Sequence, residues 1–302
     1  MKLFTLLRFS IPALLVLVVS IVEGAANKSD EGVSSVWMAE KDGHHIYFAG
    51  TIHLLRDEDY PLPAVYETAY QDSTKLIFEL PPDSEGNAEI AKKMQALGTY
   101  PAGDNLKKHL PPETMKKVID WADKKKLPQA TLLQMRPWFL ALTMAAVEYQ
   151  SLGAKPDHGV DTHYEARAKK DGKKGEGLET VEFQLSIFSN LNETLQEELL
   201  RQTFSEAETL TQDFQYLISA WRAGDADKLQ EFLFRDADKY PELMEQFLIK
   251  RNQAWLPSLM GYLEKGEKVM VLVGAGHLGG KHGVLEMLKE KGCTITQVGA
   301  KR

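Results

Sequence analysis

The sequence predicts an α/β fold of mixed (α+β) character, with one central mixed sheet built from strands near both ends of the chain. Short apolar or alternating runs occur mainly before residue 80 and after residue 268, whereas the chain between them shows the three- and four-residue apolar spacing of helices. Two of the terminal runs also finish in the same Gly-x-x-His sequence. We therefore expect helices on both sides of the sheet and a large helical insertion.

Composition identifies a globular protein and excludes some functions. The 302 residues are 43% hydrophobic, which is enough to bury a sizeable core. The net charge of −7 argues against nucleic-acid binding, because a protein that binds the phosphate backbone needs a basic stripe. Cys293 is the single cysteine, so no intramolecular disulfide is expected.

Residues 1–26 are typical of a secretory signal peptide. Lys2 and Arg8 precede an apolar run at 11–22, and small residues follow at 24–26. The run is shorter than the roughly 20 residues that a membrane-spanning helix needs. We expect cleavage after the small residues and export to the periplasm or the extracellular space. The alternative is an uncleaved N-terminal anchor, which would then be the chain's contact with a membrane.

Six strands are predicted in chain order. The first two, at 35–39 and 45–49, form a hairpin, because Asp42-Gly43 between them favours a tight turn. The other four are at 75–80, 174–178, 269–273 and 294–298. Residues 269–273 are all apolar, which suits a strand buried on both faces.

Seven segments show helical apolar spacing. They are 112–126, 129–152, 159–170, 181–223, 226–235, 241–265 and 282–291. Segment 181–223 is too long for one ordinary helix and is expected to contain at least two. Pro137 is expected to kink the second segment or to begin a helix there. The chain is predicted to form one domain over residues 33–300, with the helical insertion at roughly 84–160 and 181–264.

The two strand ends that carry Gly-x-x-His are the candidate site. Gly50 to His53 follows the second predicted strand, and Gly274 to His277 follows the fifth. The string alone is weak, since a third copy at 279–282 follows no strand. Ligands of open α/β sheets collect at the carboxyl ends of strands, where glycine lets the backbone turn sharply. We therefore expect His53 and His277 to converge.

Glu79 is the candidate third group. It ends the third predicted strand, where a charge is costly unless it has a partner. Two imidazoles and a carboxylate suit a divalent ion such as Zn, Mn or Co, and they would lie on the order of 3–5 Å apart. The structural alternatives are a histidine bonded to a loop carbonyl and a glutamate in a strand-end salt bridge.

Six motifs in order resemble the TraB/GumN family. They are Phe48–Leu55, Leu76–Leu80, Gly159–His163, Gly177–Thr180 with Gln184, Arg251-Asn252 and Val273–Gly280. The family includes pheromone-shutdown proteins and is related to the Tiki proteins, which are membrane-tethered metalloproteases that cleave Wnt. The resemblance covers residues 33–298. It implies a fold similar to that of erythromycin esterase and of a haem-binding lipoprotein.

The resemblance also implies roles for particular residues. His53 and His277 would be the paired site histidines, Glu79 their acidic partner and metal ligand, and Arg251 a residue pointing into the same cleft. A guanidinium there would clamp a carboxylate or stabilise an oxyanion. A solvated charge on the 241–265 helix is the structural alternative for Arg251.

Three further polar residues keep open roles. Asp161 could orient an imidazole or pair with a nearby lysine. Glu179 stands just before Thr180, the expected cap of the next helix, and this position alone explains a carboxylate there. His282 belongs to the third Gly-x-x-His string and is either a surface residue or an extra ligand.

The predicted function is that of an exported metal-dependent hydrolase, and a peptidase in particular. A divalent ion would acidify a bound water and polarise the scissile carbonyl. The alternatives are a non-catalytic exported binding protein for a peptide or a haem-like ligand, and a metal-free hydrolase that uses Glu79 and His53 as acid and base. No nucleotide partner is expected: residues 274–279 match Gly-x-Gly-x-x-Gly, but no acidic residue follows at the required distance.

Overall fold

One six-stranded mixed sheet organises the part of the chain that the computed structural model describes, residues 32–84, 88–235 and 241–300. Its strands are β1 (Val36–Lys41), β2 (His44–Thr51), β3 (Lys75–Phe78), β4 (Lys174–Gly177), β5 (Val269–Gly274) and β6 (Thr294–Gln297). The predicted α/β class and a sheet built from both ends of the chain are confirmed. The predicted signal peptide, residues 1–26, lies outside the described residues.

The strand order β4-β3-β5-β2-β1-β6 interleaves the two ends of the chain. Strands β4, β3, β5 and β2 run parallel, while β1 pairs antiparallel with both β2 and β6. Thr51 at the end of β2 is in register with Gly274 at the end of β5, and Phe78 of β3 pairs with Leu272. The carboxyl ends of β2, β5 and β3 therefore lie together at one edge of the sheet.

The β1–β2 hairpin closes with a two-residue turn. Asp42 and Gly43 have φ angles of 52° and 82°, and Lys41 pairs directly with His44. Positive φ at both central residues is the turn geometry that matches the twist of the flanking strands, which explains the Asp-Gly sequence.

Twelve α-helices surround the sheet in the described residues. They are α1 (Ala64–Asp72), α2 (Ala88–Gly98), α3 (Pro112–Lys124), α4 (Gln129–Leu132), α5 (Pro137–Ser151), α6 (Val160–Asp171), α7 (Val181–Ser189), α8 (Glu193–Ala223), α9 (Ala226–Leu233), α10 (Pro241–Met244), α11 (Lys250–Glu264) and α12 (Val284–Glu290). A π-helical segment, Glu245–Ile249, joins α10 to α11. None of these helices combines the length and the apolar character that crossing a bilayer requires.

The seven predicted helical segments are helical in the structure, and two further helices, α1 and α2, were not predicted. Segment 181–223 is divided, and the side chain of Asn192 caps the start of α8 by accepting from the N–H of Leu195 at 2.9 Å. Pro137 is the first residue of α5, so it begins a helix and does not kink one. No helix was predicted at α1 or at α2. The buried residues of α1, Val65, Tyr66, Ala69 and Tyr70, have helical spacing, but the helix is only nine residues long.

Both faces of the sheet are buried. Met270 and Leu272 of β5 pack with Leu76 and Phe78 on one face, whereas Val271 and Val273 pack on the other. Alternate residues of a strand point to opposite faces, so an all-apolar strand requires cover on both. The rigid central strands thus hold their carboxyl ends in fixed positions.

Candidate active site

The first Gly-x-x-His turn is anchored by aromatic side chains. The carbonyl of Gly50 accepts hydrogen bonds from the hydroxyl of Tyr66 at 2.5 Å and from Nε1 of Trp221 at 2.8 Å. A Cβ at Gly50 would lie 3.0 Å from the Cβ of Ala275 in the second turn. Glycine is therefore needed here because the two Gly-x-x-His turns pack directly against each other.

The second turn brings three predicted site residues to one point. A Cβ placed on Gly274 would lie 3.3 Å from Oε1 of Glu79, 3.6 Å from Cδ2 of His277 and 3.7 Å from Nε2 of His53. The three side chains thus surround the position that a methyl group at residue 274 would take. The sequence placed them at three strand ends, and the structure brings all three together.

Glu79 follows the last residue of β3 and is buried. Its Oε1 accepts from the backbone N–H of Gly274 at 2.7 Å, and its Oε2 accepts from Nη2 of Arg251 at 2.6 Å. Burial by itself would raise the pKa of Glu79, but the charge of Arg251, together with His277, His53 and the Gly274 N–H, outweighs it and lowers the pKa to about 2. Glu79 is therefore a carboxylate at neutral pH.

Arg251 lies on the first turn of α11 and is only 4% exposed. Its Nε and Nη2 donate to the two carboxylate oxygens of Glu179, each at 2.8 Å, while Nη1 lies 3.0 Å from Nε2 of His277. Nη1 also donates to the carbonyl of Phe247 in the π-helical segment, at 3.3 Å. Burial opposes the charge of Arg251, yet the two glutamates raise its pKa above the ordinary value. The structural alternative of a solvated charge does not apply.

His277 is held in one tautomer. A guanidinium can only donate, so Nε2 of His277 accepts from Arg251 and the proton resides on Nδ1, which donates to Oδ1 of Asn252 at 2.6 Å. The indole of Trp255 packs against the imidazole at 4.6 Å between ring centroids. Burial and the neighbouring charge of Arg251 lower the pKa of His277 to about 3. The imidazole is therefore neutral.

Glu179 belongs to the site, although its position before a helix cap predicts only a structural role. Besides Arg251, its carboxylate accepts from Nε1 of Trp255 at 2.9 Å and from Nε2 of Gln184 at 2.8 Å. Thr180 caps α7 as expected, accepting from the N–H of Phe183. The strand order would have revealed this role. Strands β3 and β4 are parallel neighbours, and just past their carboxyl ends the N–H of Glu179 donates to the carbonyl of Glu79.

Asp161 contacts the imidazole of His53. Nδ1 of His53 lies 2.9 Å from Oδ1 of Asp161, and the two side chains are 13% and 14% exposed. Asp161 lies in the first turn of α6, two residues after Gly159. A Cβ on Gly159 would lie 2.5 Å from the carbonyl oxygen of His53, so glycine lets this helix start close to the first turn. Of the two open roles for Asp161, the geometry matches the orientation of an imidazole. A carboxylate there favours a proton on Nδ1 and leaves Nε2 to accept one.

A small cavity of about 20 Å³ lies beside His53 and Glu79. Asp161 and Glu165 complete its polar lining, and its apolar lining consists of Phe78, Leu80, Pro81 and Leu272. A cavity needs about 10–15 Å³ of this volume to hold one water, so this one has room for about one. Burial raises the pKa of Glu165.

His282 takes part in the site through its backbone carbonyl. Its carbonyl accepts from Nδ2 of Asn252 at 2.7 Å, and the same amide donates to the carbonyl of His277 at 3.2 Å. Asn252, which follows Arg251 in the Arg-Asn motif, thus fixes the His277 end of the second Gly-x-x-His turn and ties it to His282. Only the position of its side chain in the fold could reveal this.

The side chains as arranged do not fit a three-ligand metal centre. Nε2 of His277 and Oε2 of Glu79 both bond the guanidinium of Arg251, which is itself a cation. Among residues 32–84, 88–235 and 241–300, no group of three or more His, Cys, Asp or Glu side chains has a metal-binding arrangement. The predicted ion held by His53, Glu79 and His277 stays a prediction.

Comparisons with known proteins agree on one family. The profile of the TraB/PrgY/gumN family matches residues 35–297. The uncharacterised protein YbaP of Escherichia coli (strain K12) is 23% identical over 274 residues, which cover 85% of this chain and 98% of that protein. A metalloprotease TIKI homolog of Amphimedon queenslandica is 23% identical over 200 residues, or 55% of this chain and 37% of that protein. No solved structure matches the chain.

Proposed function

The chain belongs to the TraB/PrgY/gumN family, and from this membership and the geometry of the site we propose that it is a hydrolase of peptide bonds. One distant relative carries the name of a metalloprotease, which favours a peptide substrate. The observation that carries the proposal is the pair of His53 and Asp161 next to the ionised Glu79, beside a cavity of about 20 Å³.

His53 is the general base of the proposed reaction. Its Nε2 takes a proton from a water molecule while the water oxygen bonds to the carbonyl carbon of the substrate. The carbon–nitrogen bond then breaks, and His53 returns the proton to the leaving amine. Asp161, 2.9 Å from Nδ1, stabilises the imidazolium that forms between these steps. A positioned base of this kind contributes about 10²–10⁴-fold to a rate.

Glu79 supports this base electrostatically. Its carboxylate faces the same point as Nε2 of His53, so its negative charge stabilises the transient imidazolium and can accept a hydrogen bond from the water. Arg251 keeps Glu79 ionised. His277 cannot replace His53 as the base, because its Nε2 already accepts from Arg251.

Export of the mature chain is part of the same proposal. The signal-like residues 1–26 would direct the protein to the periplasm or the extracellular space. Its substrates would then be peptides or proteins of that compartment.

The test is a peptide-library digest by the purified protein and two histidine variants. One aliquot is dialysed against a chelator, and others receive Mn, Co or Zn. His53→Ala removes the proposed base, and His45→Ala is the matched control, because His45 lies near the start of β2, whereas His53 follows the end of that strand. Binding of library peptides is measured for all three proteins.

We expect the wild type and His45→Ala to cleave after chelation, and His53→Ala to bind peptide without cleaving it. Cleavage that requires an added ion would support peptide hydrolysis but would contradict catalysis by His53 without a metal. Peptide binding without turnover at every metal loading would overturn the hydrolase and leave an exported binding protein.

A further inference from the structure

The guanidinium of Arg251 lies among the predicted metal ligands. It bonds Oε2 of Glu79 at 2.6 Å and Nε2 of His277 at 3.0 Å, using one terminal nitrogen for each. These are the two groups that, with His53, form the predicted ligand set. One buried cation therefore already bonds two of the three ligands that a second cation would need.

His277 has no further nitrogen to offer. A metal bond of about 2.0–2.1 Å needs the lone pair of a ring nitrogen. The lone pair on Nε2 accepts from Arg251, and Nδ1 carries a proton and donates a hydrogen bond to Oδ1 of Asn252. The ring atom of His277 nearest to the convergence point at Gly274 is Cδ2. Coordination by His277 thus requires that Nη1 of Arg251 leave Nε2.

Glu179 and Trp255 hold the guanidinium of Arg251 in this position. Glu179 binds it with both carboxylate oxygens, and Trp255 and Gln184 donate to the same carboxylate. The guanidinium of Arg251 also lies over the indole of Trp255, 5.1 Å from the ring centroid. A divalent ion at His277 would meet this fixed positive charge at close range in a poorly solvated site, where like charges repel strongly.

We infer that Arg251 and a divalent ion compete for Glu79 and His277, so that this chain holds either the guanidinium or the ion at these two groups. Glu179 favours the guanidinium-bound state. The inference concerns equilibrium binding, and it stands whether or not the protein cleaves peptides.

The test compares metal affinity in variants of equal charge. Arg251→Met with Glu179→Gln removes the guanidinium and one of its two carboxylates, so the summed charge of the cluster is unchanged. The matched control is Arg201→Met with Glu113→Gln, which removes an exposed ion pair with an N–O distance of 3.7 Å. Co²⁺ is titrated into each full chain by calorimetry, and its visible absorption reports the coordination geometry.

We expect the Arg251/Glu179 variant to bind Co²⁺ at least about tenfold more tightly than the wild type, which corresponds to about 1.4 kcal/mol. The control should bind like the wild type. Adding His277→Ala to the Arg251/Glu179 variant should abolish the gain. The inference would be overturned if the Arg251/Glu179 variant bound Co²⁺ no more tightly than the wild type. It would also be overturned if the tighter binding persisted after His277→Ala was added.

Circular dichroism checks that the Arg251/Glu179 variant folds. If it does not, Arg251→Lys provides the test, because one ammonium on a shorter side chain cannot bond Glu79, Glu179 and His277 together. Arg251→Lys should bind Co²⁺ more tightly than the wild type. Wild-type affinity in a folded Arg251→Lys protein would contradict the competition.

Discussion

Replacing Gly274 by alanine should abolish activity while leaving the fold intact. The new methyl group would occupy the point that faces Oε1 of Glu79, Cδ2 of His277 and Nε2 of His53, at 3.3, 3.6 and 3.7 Å. Small shifts of the neighbouring side chains would accommodate the methyl group. The space between His53 and Glu79 would then be too small for a reacting molecule. The substitution therefore tests whether this point is the reaction centre.

The cost to stability should be small. Gly274 has φ −47° and ψ 132°, angles that alanine adopts without strain. Gly→Ala at a compatible position stabilises a protein by about 0.4–1 kcal/mol through the unfolded chain, and the 3.3 Å contact with Glu79 offsets part of this gain. We expect a net change within about 1 kcal/mol, or a shift in Tm of no more than roughly 2–4 °C.

The loss of activity should be large. A displacement of about 1 Å at a reacting centre costs on the order of 10²-fold, and a methyl group between His53 and Glu79 displaces the water further than that. Thermal unfolding and kcat/KM on a cleaved library peptide are measured side by side. Gly261→Ala is the control, since a Cβ at that helical position meets no atom within 4 Å. Near-normal kcat/KM in Gly274→Ala would refute the assignment of the centre, whereas unfolding would refute the packing argument.

Three further outcomes are expected. The pKa of Glu79 is about 2 in the folded protein and near the ordinary value of 4.5 in the unfolded chain, so its stabilisation is complete above the higher value and is lost as pH falls toward the lower one. Urea unfolding should show that the stability of Glu79→Gln falls less steeply with acid than that of the wild type, and an equal slope would contradict the shift. Glu179→Ala leaves buried Arg251 without its bidentate partner and should cost about 3–5 kcal/mol by denaturant titration, whereas a cost near zero would mean that water replaces the carboxylate. Asp161→Asn should lower kcat about 10–100-fold by weakening the orientation of His53, with unchanged Tm, and an unchanged kcat would remove Asp161 from the proposed reaction.

The strand ends of the site were predictable because their signals are local. The all-apolar run at 269–273 and the Asp-Gly turn at 42–43 each identify an element without knowledge of the rest of the chain. Parallel strands then bring their carboxyl ends to one edge, so His53, Glu79 and His277 could be expected near each other.

The bonds within the site were not predictable in the same way. Whether Nε2 of His277 faces a metal or a guanidinium depends on where α11 packs, and the spacing of residues carries no information on this. Glu179 was explained by its position before a helix cap, although it bonds Arg251 from a strand end next to that of Glu79. Helix α1 was missed although its buried residues have helical spacing, because nine residues give a short periodic signal and its two buried tyrosines also suit a strand.

Hydrolysis in ¹⁸O-labelled water tests the central claim most directly. A library peptide is incubated with excess enzyme that has been dialysed against a chelator, and the new carboxyl terminus is analysed by mass spectrometry. If His53 activates water for attack on the peptide carbonyl, the wild type should place one ¹⁸O atom in each new carboxylate, and His53→Ala should yield no labelled product. Label incorporation by His53→Ala at the wild-type rate, or no labelled product from the wild type at any metal loading, would contradict the account.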